Sequence, residues 1–471
     1  MTNRTTLLAP RPLSARRRRT VLAVCCSSMF LVGMDTTIVN IALPAIGQDL
    51  RMGTLGLEWT VDAYTLVLAG LLISAGALAD RFGRRRVFQL GLVVFGLASL
   101  ACAFAPSVGT LIAARAVQGM GASMLSPVAL AIVVNAITDP KERAQAIGVW
   151  ASVFGLSMAA GPVVGGALVA GMGWRSVFWI NGPIIVAALI LSAVFVPESR
   201  AQQPRRLDLP GQLLLAAIVG VTVGVLIEGS RIGWTSAAAL TAYACVAGAA
   251  IVFVRIESRR PEPLMDPHLF RRPAFTAAVL GAVAVFVALN ATLLINTLYL
   301  QHSRDMTPIA AGAATLPLAL GATVCAPLSG YLVGRLGPRP PLLLAGGFLA
   351  AGGLCLVPLS AHTGLSQLLL AYLLIGIGFG FANAPITNTA VGGLSSDRAG
   401  VAGAITSTAR QFGAAVGVAV AGSVVAGATA VELAPASRPG WMLVTGCGLF
   451  LFVVARASGR PAVESALPQR R

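Results

Sequence analysis

Long apolar segments recur along this chain, and they constrain its fold more than any other feature. A helix needs about 20 apolar residues to cross a bilayer. Segments of that kind predict fourteen spans, near residues 20–46, 57–79, 87–105, 108–135, 144–170, 176–196, 209–229, 235–254, 274–301, 308–333, 341–360, 364–391, 400–427 and 440–455. Only 11% of the residues are charged, whereas soluble domains carry about 25%. We therefore predict an all-α membrane protein.

Basic residues are distributed unevenly between the two sides of the predicted membrane. The net charge is +17, and 27 of the 34 Lys and Arg residues fall on the side of the amino terminus. Such residues accumulate in cytoplasmic segments of membrane proteins. We predict a multi-pass protein of a bacterial plasma (inner) membrane with both termini in the cytoplasm. The positive charge then contacts anionic lipid, and no nucleic acid is expected.

Two acidic residues lie inside the first two apolar segments. Asp35 lies past the middle of the first, and Asp62 lies a few residues into the second. An ionised carboxylate at the membrane centre costs roughly 2.5–3.5 kcal/mol on insertion scales, and such residues mark ion or substrate pathways. We expect these acids to bind a proton or a cation. Two structural alternatives remain open: Thr36 or Asn40 could hold Asp35 in a helix-packing hydrogen bond, and Asp62 lies near the outer surface, where water lowers the cost.

The fourth apolar segment contains an arginine. Arg115, Gln118 and Gly119 are spaced i, i+3 and i+4, which puts them on one helical face. A charged side chain at this depth should face the bundle interior or a water-filled cavity. The alternative is that it snorkels to the membrane surface. Arg410 is the only other arginine inside a predicted span.

Glycine-rich sequences repeat at a nearly constant distance along the chain. Gly76–Arg85 aligns with Gly330–Arg339 at an offset of 254 residues, and the fifth span aligns with the thirteenth at an offset of 252. Transporters built from two related halves show such weak internal symmetry, and chance similarity is the alternative. We predict a six-helix bundle over residues 1–200, an inserted two-helix hairpin over 201–260 and a second six-helix bundle over 261–471.

Residues for nucleotide, metal or catalytic chemistry are missing from the sequence. A P-loop needs Gly-Lys-Ser/Thr, and the single lysine, Lys141, follows a proline. The seven cysteines lie in apolar spans without metal-ligand spacing. No loop collects a nucleophile with acid and base groups. We expect no ATP site, no cofactor, no metal and no enzymatic activity, and we expect an ion gradient to supply the energy.

Taken together, these sequences resemble the major facilitator superfamily, and more narrowly its fourteen-span drug:proton antiporters, the second drug-antiporter family of multidrug efflux pumps. Gly76–Arg86 is similar to the superfamily's signature loop, and Leu111–Gly121 to its fourth-helix motif. Gly155–Gly166 resembles the antiporter motif. Met34–Pro44 and Trp59–Ala69 are similar to the first two helices of the fourteen-span branch.

The resemblance implies proton-gradient-driven efflux of amphipathic or cationic drugs by alternating access. Asp35 and Asp62 would bind protons or a cationic drug, and Arg115 would assist proton coupling. The remaining roles implied are a cytoplasmic latch at Gly76, Asp80, Gly83 and Arg84, and an antiporter kink at Gly161, Pro162 and Gly165. The expected partners are a drug-like small molecule, protons and the lipid bilayer, and the protein is expected to be monomeric.

Three other functions are compatible with parts of this pattern. An exporter of a metabolite or of a self-made antibiotic would share every feature above. A proton-coupled nutrient symporter would share the fold, although Gly161-Pro162 favours export. A membrane enzyme would need clustered catalytic residues, which the loops lack.

Overall fold

The computed structural model describes residues 14–137, 139–200, 208–260, 263–392, 394 and 396–458. Within these residues every regular element is helical. The first ten helices are α1 Ala15–Asp49, α2 Thr54–Phe82, α3 Arg84–Ala103, α4 Val108–Ser123, α5 Ser126–Ala136, α6 Pro140–Met172, α7 Ser176–Trp179, α8 Asn181–Phe195, α9 Leu209–Ile232 and α10 Ala237–Glu257. The others are α11 Pro273–Leu298, α12 Pro308–Ala314, α13 Leu316–Leu336, α14 Arg339–Leu356, α15 Leu365–Val391, α16 Ser396–Val425, α17 Leu433–Ala436 and α18 Arg438–Ala457.

The helices confirm a many-span, all-helical membrane protein. Among the described residues, thirteen helical segments are long and apolar enough to cross a membrane, and the 33-residue α6 is a further long helix. Helix α1 extends well beyond the predicted span of 20–46, because Ser14 caps its amino terminus by accepting a hydrogen bond from the Arg17 backbone N–H. Hydropathy alone misses such polar helical ends.

Helices α1–α8, the amino-terminal helices, pack mainly on one another, and so do α11–α18, the carboxy-terminal helices. The largest contacts join α1 to α6 and α2 to α4 in the first set, and α13 to α15 and α11 to α16 in the second. Helix α9 packs on α2, α10 and α16. In the most apolar window of α10, 11% of the residues are buried, compared with 78% for the span that contains α11. Helix α10 is therefore peripheral and α11 central.

The two sets of helices meet closely on the side of the molecule opposite the termini. Gln301 donates to the Ile41 carbonyl at 3.0 Å, and a Cβ on Gly166 would lie 2.5 Å from the Pro308 carbonyl oxygen. Helix α2 also packs on α16 here, with the Glu58 carboxyl against Gly422. We call this contact region the closed interface. Nearer the termini, a Cβ added at any of four glycines would meet no neighbouring atom within 4 Å. These are Gly76, Gly330, Gly334 and Gly403.

Candidate functional site

Asp35 lies at the centre of a buried polar network. Its side chain is 0% exposed. Its Oδ2 accepts a hydrogen bond from Arg115 Nη1 at 2.6 Å, and its Oδ1 accepts one from Gln118 Nε2 at 2.8 Å. Asn181 Nδ2 also approaches Oδ1, at 3.4 Å. A buried ion pair is tolerated only when its remaining polar atoms are also bonded, and this network meets that condition for Asp35.

Arg115 is equally buried, with 1% of its side chain exposed. It donates a second bond from Nη1 to Gln118 Oε1 at 2.7 Å, and Nε donates to the Thr60 carbonyl at 3.1 Å. Its guanidinium carbon lies 4.3 Å from the centre of the Tyr64 ring, a favourable cation–π geometry. The helical spacing correctly predicted that Arg115 and Gln118 share one face, since both side chains bond to Asp35. The alternative that Arg115 snorkels to the membrane surface is wrong, because its side chain is buried.

The proposed hydrogen bonds from Asp35 to its own helix are also wrong. Thr36 Oγ1 donates to the Gly33 carbonyl at 2.7 Å, and Asn40 Nδ2 donates to the Thr36 carbonyl at 2.9 Å. These local bonds direct the donor groups of both side chains to backbone carbonyls, which a helix places within their reach. Asp35 is therefore left to bond with α4 and α8.

Asn181 is a member of the buried network that the sequence analysis missed. It is 0% exposed at the start of α8, and its Nδ2 also donates to Ser99 Oγ at 3.0 Å. Ser99 in turn donates to the Phe178 carbonyl at 2.9 Å. The network thus extends to α3 and α8. An asparagine inside an apolar span was the only sequence signal for it.

Asp62 and Glu58 lie one helical turn apart on α2, and both are buried. Asp62 is 0% exposed and Glu58 is 2% exposed. Neither oxygen of Asp62 has a hydrogen-bond partner among the described residues, and the same holds for Oε2 of Glu58. The alternative that put Asp62 in contact with water at the surface is therefore wrong, because α4, α9 and α16 all pack around α2. Glu58 was missed, although its spacing of four residues from Asp62 was visible.

The four latch residues lie around the loop between α2 and α3. Asp80 Oδ1 accepts from Arg84 Nη2 at 2.9 Å. Gly83 adopts a φ of 113°, and a Cβ there would lie 2.7 Å from Glu198 Oε1, so only glycine fits. Glu198 also accepts from the Arg85 backbone N–H at 3.1 Å. The hydrogen bonds of this loop among the described residues run to α2 and to the segment that follows α8.

The three kink residues lie inside α6, which continues through Pro162. A Cβ on Gly161 would overlap Thr37 Oγ1, and one on Gly165 would lie 2.6 Å from Ile41 Cγ2. The carbonyl of Pro162 occupies the space that a Cβ on Gly312 would need. Small residues allow helices to approach this closely. Helix α6 is thus wedged between α1 and α12, one from each set.

The structure keeps Arg410 apart from these acids. Its Nη2 donates to Thr387 Oγ1 at 2.5 Å, and its Nε is buried with no bond among the described residues. The described residues also contain no group of three or more His, Cys, Asp or Glu that could hold a metal ion. A paired acid and arginine deep in a many-helix membrane protein are features of the transporter class rather than of a metal or nucleotide enzyme.

The chain belongs to the Major Facilitator Superfamily, whose family model matches residues 25–418. Its relatives include multidrug resistance protein Stp of Mycobacterium tuberculosis, 39% identical over 86% of this chain and 76% of that protein. The tetracenomycin C resistance and export protein of Streptomyces glaucescens is 36% identical over 89% of this chain and 78% of that protein. These two relatives are named for multidrug resistance and for antibiotic resistance and export, which confirms the recognition made from the sequence motifs.

Solved structures support the same fold. A bacterial homologue of the human lysosomal transporter Spinster, in an inward-facing and unoccupied conformation, superposes with a TM-score of 0.63. It is 18% identical and is matched over 95% of this chain and 97% of its own length. This likeness concerns the fold, which is that of the superfamily.

Proposed function

We propose that this protein is a proton-driven pump that exports amphipathic or cationic drugs across the bacterial plasma membrane. The observation that carries the proposal is the buried network of Asp35, Arg115 and Gln118. It joins a group that can take up a proton to a fixed positive charge inside the membrane. The efflux and resistance roles of the relatives support the drug as cargo.

Proton binding at Asp35 would change how its helix is held. A proton on Asp35 removes the charge that attracts Arg115, so the ion pair between α1 and α4 weakens. Thr37 lies two residues further along α1 and contacts the Gly161 position of α6. Helix α6 in turn contacts Gly312 of α12 through Pro162. The charge state of Asp35 therefore has a packed route to the carboxy-terminal helices.

Asp62 is the better candidate for contact with a cationic drug. Both of its oxygens are free of hydrogen bonds among the described residues, whereas those of Asp35 are occupied. When Asp62 is ionised, it can pair with a cation, and when it is protonated, it cannot. Competition between proton and drug for one charge state is sufficient to couple the two fluxes.

The remaining architecture supports alternating access. The bundles of residues 1–200 and 261–471 would rock about the wedge at Gly161, Pro162 and Gly165, while the hairpin of residues 201–260 adds two spans. The loop of Gly76, Asp80, Gly83 and Arg84 would engage the carboxy-terminal helices when the cytoplasmic side closes. The pump would work as a monomer with both termini in the cytoplasm, use no cofactor and bind no nucleic acid.

Efflux from proteoliposomes tests the proposal. Vesicles with an imposed pH gradient should move ethidium, a cationic probe, and a protonophore should stop the movement. Asp35→Asn and Asp62→Asn should each reduce the gradient-dependent rate at least tenfold. The surface variant Asp49→Asn is the matched control, because Asp49 is 47% exposed. Gradient-driven efflux that survives both substitutions with unchanged proton dependence would contradict the assignment.

Export of a compound that the cell makes itself is the second candidate. The relative named for tetracenomycin C resistance and export favours it. A deletion strain should then retain one of its own metabolites inside the cell, and drug susceptibility should be unchanged. A nutrient symporter would instead show drug-free uptake with protons in a counterflow assay.

A further inference from the structure

Glu58 is a buried acid that the proposed mechanism does not use. It lies on α2 and is 2% exposed, and its Oε2 has no hydrogen-bond partner among the described residues. Its carboxyl group lies against Gly422 of α16, in the space that a Cβ at that position would occupy. Helix α2 is an amino-terminal helix and α16 a carboxy-terminal one. The carboxyl is therefore enclosed between the two sets, in the closed interface.

Alternating access requires the closed interface to separate, and Glu58 then meets water. Enclosing an ionised carboxylate without a hydrogen-bond partner is unfavourable, so enclosure favours the neutral acid. A group that binds a proton more tightly in one conformation shifts the balance toward that conformation when protons are added. We propose that Glu58 is a proton-binding site that controls the closed interface. It takes up a proton from the side opposite the termini as the interface closes, and it gives the proton back as the interface opens.

The charges around Glu58 reinforce this effect. Asp62 lies one turn along α2, and Glu228 approaches from α9, where its Oε1 accepts from Trp59 Nε1 at 3.2 Å. Both are acids, so a negative charge on Glu58 would be repelled. Arg231 lies 2.9 Å from Glu228 Oε2 and binds that acid rather than Glu58.

Among the described residues, α16, α4 and α3 offer Glu58 no positive partner. On α16 the sequence from residue 411 to residue 425 contains no charged side chain. On α4 the only charge is Arg115, which is bonded to Asp35, Gln118 and the Thr60 carbonyl. On α3 the charged residues lie at the opposite end of α2 from Glu58.

A distance measurement across the interface tests the proposal without drug and without a gradient. Spin labels at Arg51→Cys and Val431→Cys report from the two sets, since both positions are exposed on the side opposite the termini. The parent carries Cys245→Ala, because Cys245 is the exposed cysteine among the seven. The parent alone, labelled in the same way, defines the background. The protein is held in nanodiscs between pH 5.5 and 8.5.

The expected result is a closed distance at acid pH and a longer distance as the pH rises. One proton bound only in the closed state makes the ratio of open to closed molecules rise up to tenfold per pH unit. Glu58→Gln should abolish this dependence. Glu228→Gln, the matched control, should retain it, because Glu228 is partly exposed and bonded to Trp59 and Arg231. A flat response in the parent, or the parent slope in Glu58→Gln, would overturn the proposal.

A second variant protects the test against a folding defect. Gly422→Ala leaves Glu58 intact but places a methyl group where the carboxyl lies, so it should populate the longer distance even at pH 5.5. The same distances as in the parent would count against the contact. The inference rests on the proposed function only for its place in a transport cycle. If efflux fails but the distance shows the expected pH response, the proposed function is wrong and the role of Glu58 at the closed interface stands. If efflux is driven by protons but the distance does not respond to pH, only the role of Glu58 is wrong.

Discussion

Replacing Arg115 with glutamine tests the energetic weight of the buried network. The change removes the positive charge beside Asp35 and the guanidinium that donates to Asp35, Gln118 and the Thr60 carbonyl at 2.6, 2.7 and 3.1 Å. Removing one partner of a buried ion pair lowers stability by about 3–5 kcal/mol, because the other charge is left without compensation. We expect a loss of about that size for Arg115→Gln.

The measurement is the free energy of unfolding in detergent micelles, from denaturant titration. Arg175→Gln is the matched control, since Arg175 and Asp49 form an ion pair at 2.7 Å with side chains 42% and 47% exposed. Exposed pairs contribute roughly 0–1 kcal/mol. Adding Asp35→Asn to Arg115→Gln should recover part of the loss, because no charge then remains unpaired. A loss for Arg115→Gln no larger than for Arg175→Gln would refute the reasoning.

Two further predictions follow from helix contacts and from the network. Gly161→Ala should lower the free energy of unfolding by roughly 1–3 kcal/mol, since its methyl group would overlap Thr37. Gly171→Ala is the control in the same helix and should not lower it, because a Cβ at Gly171 would meet no neighbouring atom within 4 Å. An equal effect of both changes would contradict the wedge. Gln118→Leu should reduce proteoliposome efflux at least tenfold, because it removes bonds to both charges, whereas the exposed Gln367→Leu should leave the rate unchanged. An unchanged efflux rate in Gln118→Leu would show that the Gln118 amide is not needed for transport.

The sequence was sufficient to predict the helices and three residues of the network, but neither the pairing of those residues nor the place of Asn181 beside them. Hydropathy located the spans because each must present about 20 apolar residues to lipid. Intramembrane charge singled out Asp35 and Arg115, and helical spacing added Gln118. Their bonding depends on tertiary packing that brings Asp35 of α1 to Arg115 of α4, although the two residues are 80 positions apart in the sequence. No local pattern contains that information.

The depth of Asp62 could not be predicted for a related reason. Its position near the start of the second span suggested contact with water, and a lone helix would allow it. In the folded chain, α9 and α16 cover this face of α2, and Gly422 permits the close approach beside Glu58. Burial of these acids therefore results from tertiary packing, which neither hydropathy nor residue spacing encodes.

Proton release on drug binding tests the central claim most directly. Purified protein in a weakly buffered solution with a pH-indicator dye should release protons when ethidium is added, because drug and proton compete for the buried acids. The double variant Asp35→Asn with Asp62→Asn should bind ethidium more weakly and release no protons when ethidium is saturating. Equal proton release from the double variant and the parent would show that these acids do not carry the coupling.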